Sequence, residues 1–363
     1  MYREPKVTVL MSVYNGERFL SAALESILHQ TWTDFEFLII NDGSTDGSRE
    51  IILSYDDPRI RLVDNPTNIG LTKSLNRGLE LARGALIARQ DADDLSHPAR
   101  LEKQVNFMDH HPEVALLGAR HSLIDDRGCT VHNPLTLRAT TPAGITWQFM
   151  LYNPVVHSAA IFRKEVVWTR LGGYDESLTR RQDFELWSRI AVAYGVANLP
   201  EILVKFRVHP GSVSANYTRE DIQKIEHVFI DNLRRYLDYP QVPPAWVEYL
   251  TWMLRGKPSY PIEMPANLLT VITAIWQRFL EINPPALEDR QLHSLLACDL
   301  VRAALILAPR QRWASLKAFS WAFREDRGIA FYIAAKYLSL LLLGEPLARS
   351  VYFRLQSLFN LKR

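Results

Sequence analysis

Between residues 7 and 88 the chain alternates between short β-rich apolar runs and stretches whose apolar residues recur at helical spacing. Residues 7–13 are apolar at most positions, as expected of a parallel strand covered on both faces. Phe19, Leu20, Ala23, Leu24, Ile27 and Leu28 then follow a helical period. Residues 35–40 read as a second strand and 48–55 as a helix. Residues 60–63 read as a third strand, 71–82 as a helix closed by Arg83-Gly84, and 85–88 as a fourth strand. Parallel strands need crossover connections, and these run right-handed. The expected fold class is therefore α/β, an open, mostly parallel sheet with flanking helices.

In such sheets ligands bind beyond the carboxyl ends of the strands. Polar clusters fall there: Ser12-Val13-Tyr14-Asn15, Asn41-Asp42-Gly43-Ser44 and Gln90-Asp91-Ala92-Asp93-Asp94. Asp91, Asp93 and Asp94 would repel one another without a cation or hydrogen-bond donors. Oxygen ligands so grouped suit Mg2+ or Mn2+, which bridge to phosphate oxygens while keeping several waters. On these residues alone a solvated turn, with Asp94 capping the helix that starts near Pro98, is an open alternative. An EF-hand is excluded, because the required Gly and the closing Glu are missing.

Residues 101–110 read as a helix, 114–118 as a strand and 125–128 as a turn, and a second polar constellation runs from His157 to His209. Beyond Asn216 the pattern is helical, with proline breaks at 239–244, 257–265 and 283–285. We expect an α/β domain over 1–215 (donor half 1–100, acceptor half 101–215) and a helical C-terminal domain over 216–363. The 47% apolar content is ample for such cores, and a net charge of +2 gives no case for a nucleic-acid partner. The average hides an asymmetry, since 310–363 carries ten Lys/Arg against three Asp/Glu and leaves the rest at −5. Within that tail, 328–344 is apolar apart from Lys336. A membrane span needs about 20 apolar residues, and a central Lys costs roughly 2.5–3.5 kcal/mol. Basic, aromatic helices lying on an anionic membrane surface suit the tail better, and a helical subdomain packed on itself suits it equally well. Cys129 and Cys298 are far apart and form neither a disulfide framework nor a thiolate metal site. The polar start, 1–6, leads into no signal-peptide core. The expected location is cytoplasmic, peripheral at the inner face of the cell membrane if the tail binds there.

Five stretches fall in a specific order: residues 9–15, Gln30-Thr31-Trp32-Thr33-Asp34-Phe35-Glu36, Asn41-Asp42-Gly43-Ser44-Thr45-Asp46-Gly47, Asn68-Ile69-Gly70 and Asp91-Ala92-Asp93-Asp94. In these the chain resembles the family 2 glycosyltransferases of GT-A fold, and the resemblance extends to about His209. It implies inverting transfer of a sugar from a nucleotide-diphosphate donor, UDP-sugar favoured, to an acceptor hydroxyl, with Mn2+ or Mg2+. The implied acceptor is a glycan or lipid-linked glycan of cell-surface polysaccharide or glycolipid synthesis.

Carried over residue by residue, Ser12, Tyr14 and Asn15 line the donor site and Asp42 accepts from an N–H of the base. Asp91 lies near the ribose and diphosphate, and Asp93 holds the metal. A Gly172-Gly173-Tyr174-Asp175-Glu176 loop precedes the family's acidic pair, which here is Gln182-Asp183. Asp183 is thus the implied base, taking the acceptor's proton, while the cation stabilises the departing diphosphate. Arg207 is implied at the diphosphate and His209 in the metal shell. His157 matches the pattern without a role, and Lys73 and Arg89 are further phosphate or base contacts. Packing for Tyr14, turn or cap roles for Asp42 and Asp46, a helix cap for Asp183, an ion pair for Arg207 and a capping His209 remain open. So do two other functions. A nucleotidyltransferase should carry a Gly-rich basic loop after the first strand, and Tyr14-Asn15-Gly16-Glu17 is not one. A non-catalytic nucleotide-sugar binding protein has no need of a base.

Overall fold

The computed structural model describes residues 4–131, 138–212, 219–243, 268–307, 318, 320–322 and 324–326. The chain divides into two compact units, one made of Met1–His132 and Tyr152–Asn232, the other of Asn133–Leu151 and Leu233–Arg363. The boundary expected near Asn216 falls among residues 213–218, outside the described residues, as does the proline break at 257–265.

The first unit opens with the expected alternation: β1 (Val7–Val13), α1 (Glu17–Leu28), β2 (Phe35–Asn41), α2 (Ser48–Leu53), β3 (Ile60–Asp64), α3 (Leu71–Leu81) and β4 (Leu86–Asp91). A short β5 (Leu95–Ser96) precedes α4 (Arg100–His110) and the long β6 (Val114–Ile124), which pairs with β7 (Thr130–Val131). After one 3-10 turn (His157–Ala159) come β8 (Ile161–Arg163), a wide helical turn (Glu165–Arg170), α6 (Gln182–Ala193) and β9 (Gly195–Arg207). The second unit holds α5 (Pro142–Leu151), most of its other described residues lying in later helices.

The sheet order is β3-β2-β1-β4-β8-β6-β9-β5. β3, β2, β1 and β4 are mutually parallel, as the crossover argument requires. β8 then runs antiparallel to both β4 and β6, while β9 runs parallel to β6. Every residue of β1 and β2 is buried, so their apolar runs have both faces covered. α1 presents Leu20, Ala23, Leu24 and Ile27 to that core, at the spacing seen in the sequence. The chain goes leftward from β1 to β2 and β3, then α3 carries it back across to β4. Strand order therefore reverses beside β1, and a crevice opens beyond the carboxyl ends of β1 and β4.

Within the second unit, the Trp147 ring of α5 meets the edges of Trp276 at 5.2 Å and Phe279 at 5.5 Å. Both come from α8 (Leu268–Ile282). The Trp147 indole donates to buried Asp299 at 3.1 Å, on α9 (Arg290–Leu307). α7 (Arg219–Tyr236) precedes them in the chain, its residues up to Asn232 belonging to the first unit. No helix of the described residues is long and apolar enough to cross a membrane. The apolar run 328–344 and most of the basic tail lie outside the described residues.

One glycine tests the close approach that brings β4 beside β1. A Cβ on Gly84 would lie 2.3 Å from the Thr8 backbone nitrogen and 2.5 Å from the Val7 carbonyl carbon. Backbone cannot yield as a side chain can, and overpacking of this kind costs about 1–3 kcal/mol. Gly84→Ala should lower the urea midpoint accordingly, with m unchanged.

Candidate functional site

Two loops at the ends of β1 and β2 are stitched together by short polar side chains. The Asn15 amide N–H donates to Ser44 Oγ at 3.1 Å, and Asn15 Oδ1 accepts from the Thr45 N–H at 2.8 Å. Asp46 accepts from the Glu17 N–H at 3.1 Å, and Glu17 reciprocates at the Gly47 N–H at 2.8 Å, which caps the starts of α1 and α2 together. Asn15 sits at φ 51°, a conformation asparagine tolerates. Much of the Asn41–Gly47 stretch is thus local scaffolding that fixes where Tyr14 and Asp42 stand.

Asp42 is fully buried. Its Oδ1 accepts from Asn65 Nδ2 at 2.7 Å and the Ile69 N–H at 2.9 Å, and its Oδ2 from the Gly70 N–H at 2.9 Å. The carboxylate therefore faces the N-terminus of α3, where a negative charge is favoured. Ionised, it has room for about one more donor.

At the end of β4 the three aspartates part company. Asp91 Oδ1 is ion-paired with Arg89, a side chain with no exposed surface. Burial pushes the Asp91 carboxyl up, and the Arg89 charge pulls against it. Asp94 is completely buried: Oδ1 accepts from the Arg207 N–H at 2.7 Å and Oδ2 from the Ser158 hydroxyl. Burial, with the charges of Asp93 and Asp91, raises its carboxyl well above the ordinary range. It does not cap the next helix, since α4 begins at Arg100 with Ala99 before it and no side-chain cap. Asp93 is left facing the cleft, with Oδ2 2.9 Å from His209 Nε2.

Ser12, Tyr14, Asn15, Asp42, Asp91, Asp93 and His209 all line one cleft of about 1040 Å³, together with Lys73, Glu176 and Arg180. Two expected site residues are not among its lining. Arg207 is 5% exposed, and its guanidinium donates to the Asp93 carbonyl at 2.8 Å and the Asp125 carbonyl at 2.9 Å. It lies 4.5 Å over the Phe19 ring. Asp183 is half-buried in the first turn of α6 and accepts from Asn153 Nδ2 at 2.7 Å. Burial pushes its carboxyl up, and the charge of Asp91 adds to the rise, so the two carboxylates share one electrostatic region. Neighbouring Glu185 is buried in a bidentate pair with Arg189, at 2.6 and 2.8 Å.

Beneath the cleft lies a buried polar layer that the sequence did not announce. Arg100, fully buried, donates to the carbonyls of Arg89 (2.8 Å) and Ala160 (3.2 Å), to Gln90 Oε1 and to Ser96 Oγ. Desolvation and the nearby Arg89 push Arg100 down to about 9, still cationic at neutral pH. His157 Nε2 pairs with the Tyr174 hydroxyl at 3.0 Å. Burial holds His157 well below the usual imidazole range and so neutral. The one sequence signal for this layer was polar residues inside apolar patterns: Arg89 and Gln90 in a buried strand, Arg100 and Gln104 on the core side of α4.

Among the described residues no group of three or more His, Cys, Asp or Glu side chains could hold a metal ion. Asp93 and His209 place one carboxylate oxygen and one imidazole nitrogen side by side at the wall of this cleft.

Residues 8–171 match the model of "Glycosyl transferase family 2". The chain is 35% identical over 226 residues to the amylovoran biosynthesis glycosyltransferase AmsE of Erwinia amylovora, covering 60% of this chain and 83% of AmsE. Its fold is shared with S. aureus TarS 1–349 in complex with UDP (TM-score 0.52, 16% identity, 91% of each chain). It is shared also with mannosyltransferase PcManGT of Pyrobaculum calidifontis in complex with GDP-Man and Mn2+ (TM-score 0.50, 18% identity, 86% of this chain and 89% of that one). With the strand-end cleft, the family match and the extent of the likeness to AmsE, the chain belongs to the family 2 glycosyltransferases and has their GT-A fold.

Proposed function

We propose that this glycosyltransferase moves a sugar, with inversion, from a nucleotide-diphosphate donor to a hydroxyl of a glycan or lipid-linked glycan in polysaccharide or glycolipid synthesis. The observation that carries the reading is the convergence of Tyr14, Asp42, Asp91, Asp93 and His209 on one cleft. Its volume accommodates a nucleoside diphosphate with a sugar. UDP is the favoured carrier. Tyr14, half exposed, offers its ring to the base, and the remaining acceptor position of Asp42 suits a base N–H. Ser12 and Asn15 line the same site, and Asp91 lies near the ribose and diphosphate.

Asp93 and His209, with Asp91 in support, would hold Mn2+ or Mg2+. Such an ion supplies positive charge to a leaving diphosphate. Arg207 serves by fixing the Asp93 carbonyl and the Asp94 carboxylate in place. Asp183 takes the proton of the attacking hydroxyl as the new bond forms at the anomeric carbon and the bond to the diphosphate oxygen breaks. The likeness to AmsE supports a polysaccharide product. In this reading residues 1–215 carry the transfer, and the basic tail at 310–363 attaches the protein to an anionic membrane surface.

Removing the cation site should separate metal from nucleotide. By calorimetry, UDP should bind more tightly with Mn2+ than with EDTA, and Asp93→Ala should abolish the difference. Equal affinity in all three cases would remove the metal from the reading.

Asp183→Asn should slow transfer by about 10²–10⁴-fold while leaving UDP affinity nearly unchanged. Glu185→Gln breaks a buried ion pair, so its effect should appear in stability and much less in turnover. A near-normal rate for Asp183→Asn would return that residue to a helix-start role.

The acid limb of kcat/KM, which reports the free enzyme's essential base, gives an independent check. A base must be ionised, and burial raises the folded pKa of Asp183. Activity should thus be full above that raised value and fall as pH drops through it, with a midpoint above that of an ordinary aspartate. A limb at or below pH 4 would count against Asp183.

A further inference from the structure

The cleft has a carboxylate that neither the metal nor the base explains. Glu176 is exposed on its wall, at the end of the loop 172–176. That loop is held by buried Asn76 of α3. Asn76 Nδ2 donates to the Tyr174 carbonyl at 2.9 Å, and Asn76 Oδ1 accepts from the Tyr174 N–H at 2.8 Å. The same Nδ2 donates to Glu176 Oε1 at 3.0 Å. Gly172 and Gly173 both sit in the left-handed region, at φ 74° and 78°. A Cβ on Gly173 would come within 2.5 Å of Asn76 Oδ1. The backbone is thus shaped so that the Asn76 amide reaches both the loop and its terminal carboxylate.

Among the described residues Asn76 is the only polar partner of Glu176, so Oε2 remains available to whatever enters the cleft. An uncompensated carboxylate disfavours a diphosphate beside it. The neutral groups it suits are hydroxyls, and an ionised carboxylate accepts from several at once. We propose that Glu176 is a specificity-determining residue whose Oε2 accepts from hydroxyls of a sugar ring seated in the cleft, with Asn76 as the residue that positions it. This rests on the glycosyl-transfer reading above.

The ring could be the donor's sugar or the acceptor's, and the experiment separates the two. UDP, UDP-GlcNAc, GDP and GDP-mannose are titrated with Mn2+ into wild type, Glu176→Gln, Glu176→Ala and Asp175→Asn, the last a neighbouring carboxylate outside the cleft lining. Acceptor KM and kcat are measured alongside with a glycan extract. Hydrogen bonds to charged groups predict a loss of about ten- to a hundredfold on removing the carboxylate. For a donor ring, nucleotide-sugar affinity falls by that factor in both Glu176 variants while the free nucleotide binds as in wild type. For an acceptor ring, the acceptor KM rises instead and both donor affinities hold.

Three results would overturn the proposal. In the first, both Glu176 variants match wild type in every affinity and KM. In the second, kcat collapses with affinities and KM unchanged, which would make Glu176 a proton acceptor. In the third, Asp175→Asn produces the same losses, which would mark a general loop disturbance. If the wild-type protein binds none of the four nucleotides and releases none with acceptor present, the glycosyl-transfer reading fails first, and with it this proposal.

Discussion

Asp94 has no exposed surface, and its two oxygens reach into different parts of the chain, one to the Arg207 N–H at the end of β9 and one to the Ser158 hydroxyl. Burying a carboxylate is costly unless it is hydrogen-bonded on both sides. These two contacts therefore hold the ends of β4 and β9 and the 3-10 turn at 157–159 at one point. Gln90 Nε2 donates to the Asp94 carbonyl at 2.9 Å, and Gln90 Oε1 accepts from Arg100 and Ser96. A buried polar layer of this density specifies a single arrangement when its groups are satisfied. The meeting of Asp93 with His209, 116 positions apart, follows from it.

The same layer explains how three aspartates coexist in four residues. Their mutual repulsion demands compensation, and each receives a different one. Arg89 pairs with Asp91, a hydroxyl and a backbone N–H satisfy Asp94, and Asp93 retains only an imidazole at a solvent-facing wall. Two of the carboxylates are thus balanced by the protein itself, and the third faces the cleft. Arg89 is also one reason His157 stays neutral, because burial and a nearby cation both disfavour a second positive charge.

The parallel half of the sheet was legible in the sequence because strands covered on both faces must be apolar throughout, and helices on one face must show a period. β1 and α1 show this directly. The cleft residues were legible for a related reason, since polar residues ending apolar strands fall at one edge of the sheet. β9 was not legible: its thirteen residues mix buried and exposed positions and its pairing with β6 carries three register irregularities, which blurs any period. The internal wiring of the site was hidden more deeply. An arginine in a sequence looks the same whether it meets a phosphate or two backbone carbonyls, as Arg207 does. Only the path of the neighbouring chain decides between them.

α3 joins the two halves of the site in a way that its sequence disguises. Thr72, Ser74 and Asn76 are polar and, two residues apart, alternate between opposite sides of the helix, yet all three are buried. Ser74 Oγ accepts from Asn65, which itself donates to Asp42. The Thr72 hydroxyl donates to the Leu178 carbonyl at 2.6 Å, and Asn76 grips Tyr174 and Glu176. One end of the helix is thus set by Asp42 through the Ile69 and Gly70 N–H groups, and its side sets the loop bearing Glu176. The span from Gly70 to Asn76 is about 9 Å of regular helix, and a helix transmits a displacement along that length with little bending. A base recognised at Asp42 and a sugar recognised at Glu176 would therefore be held at a fixed spacing, set by the number of residues between a glycine and an asparagine on one rigid element.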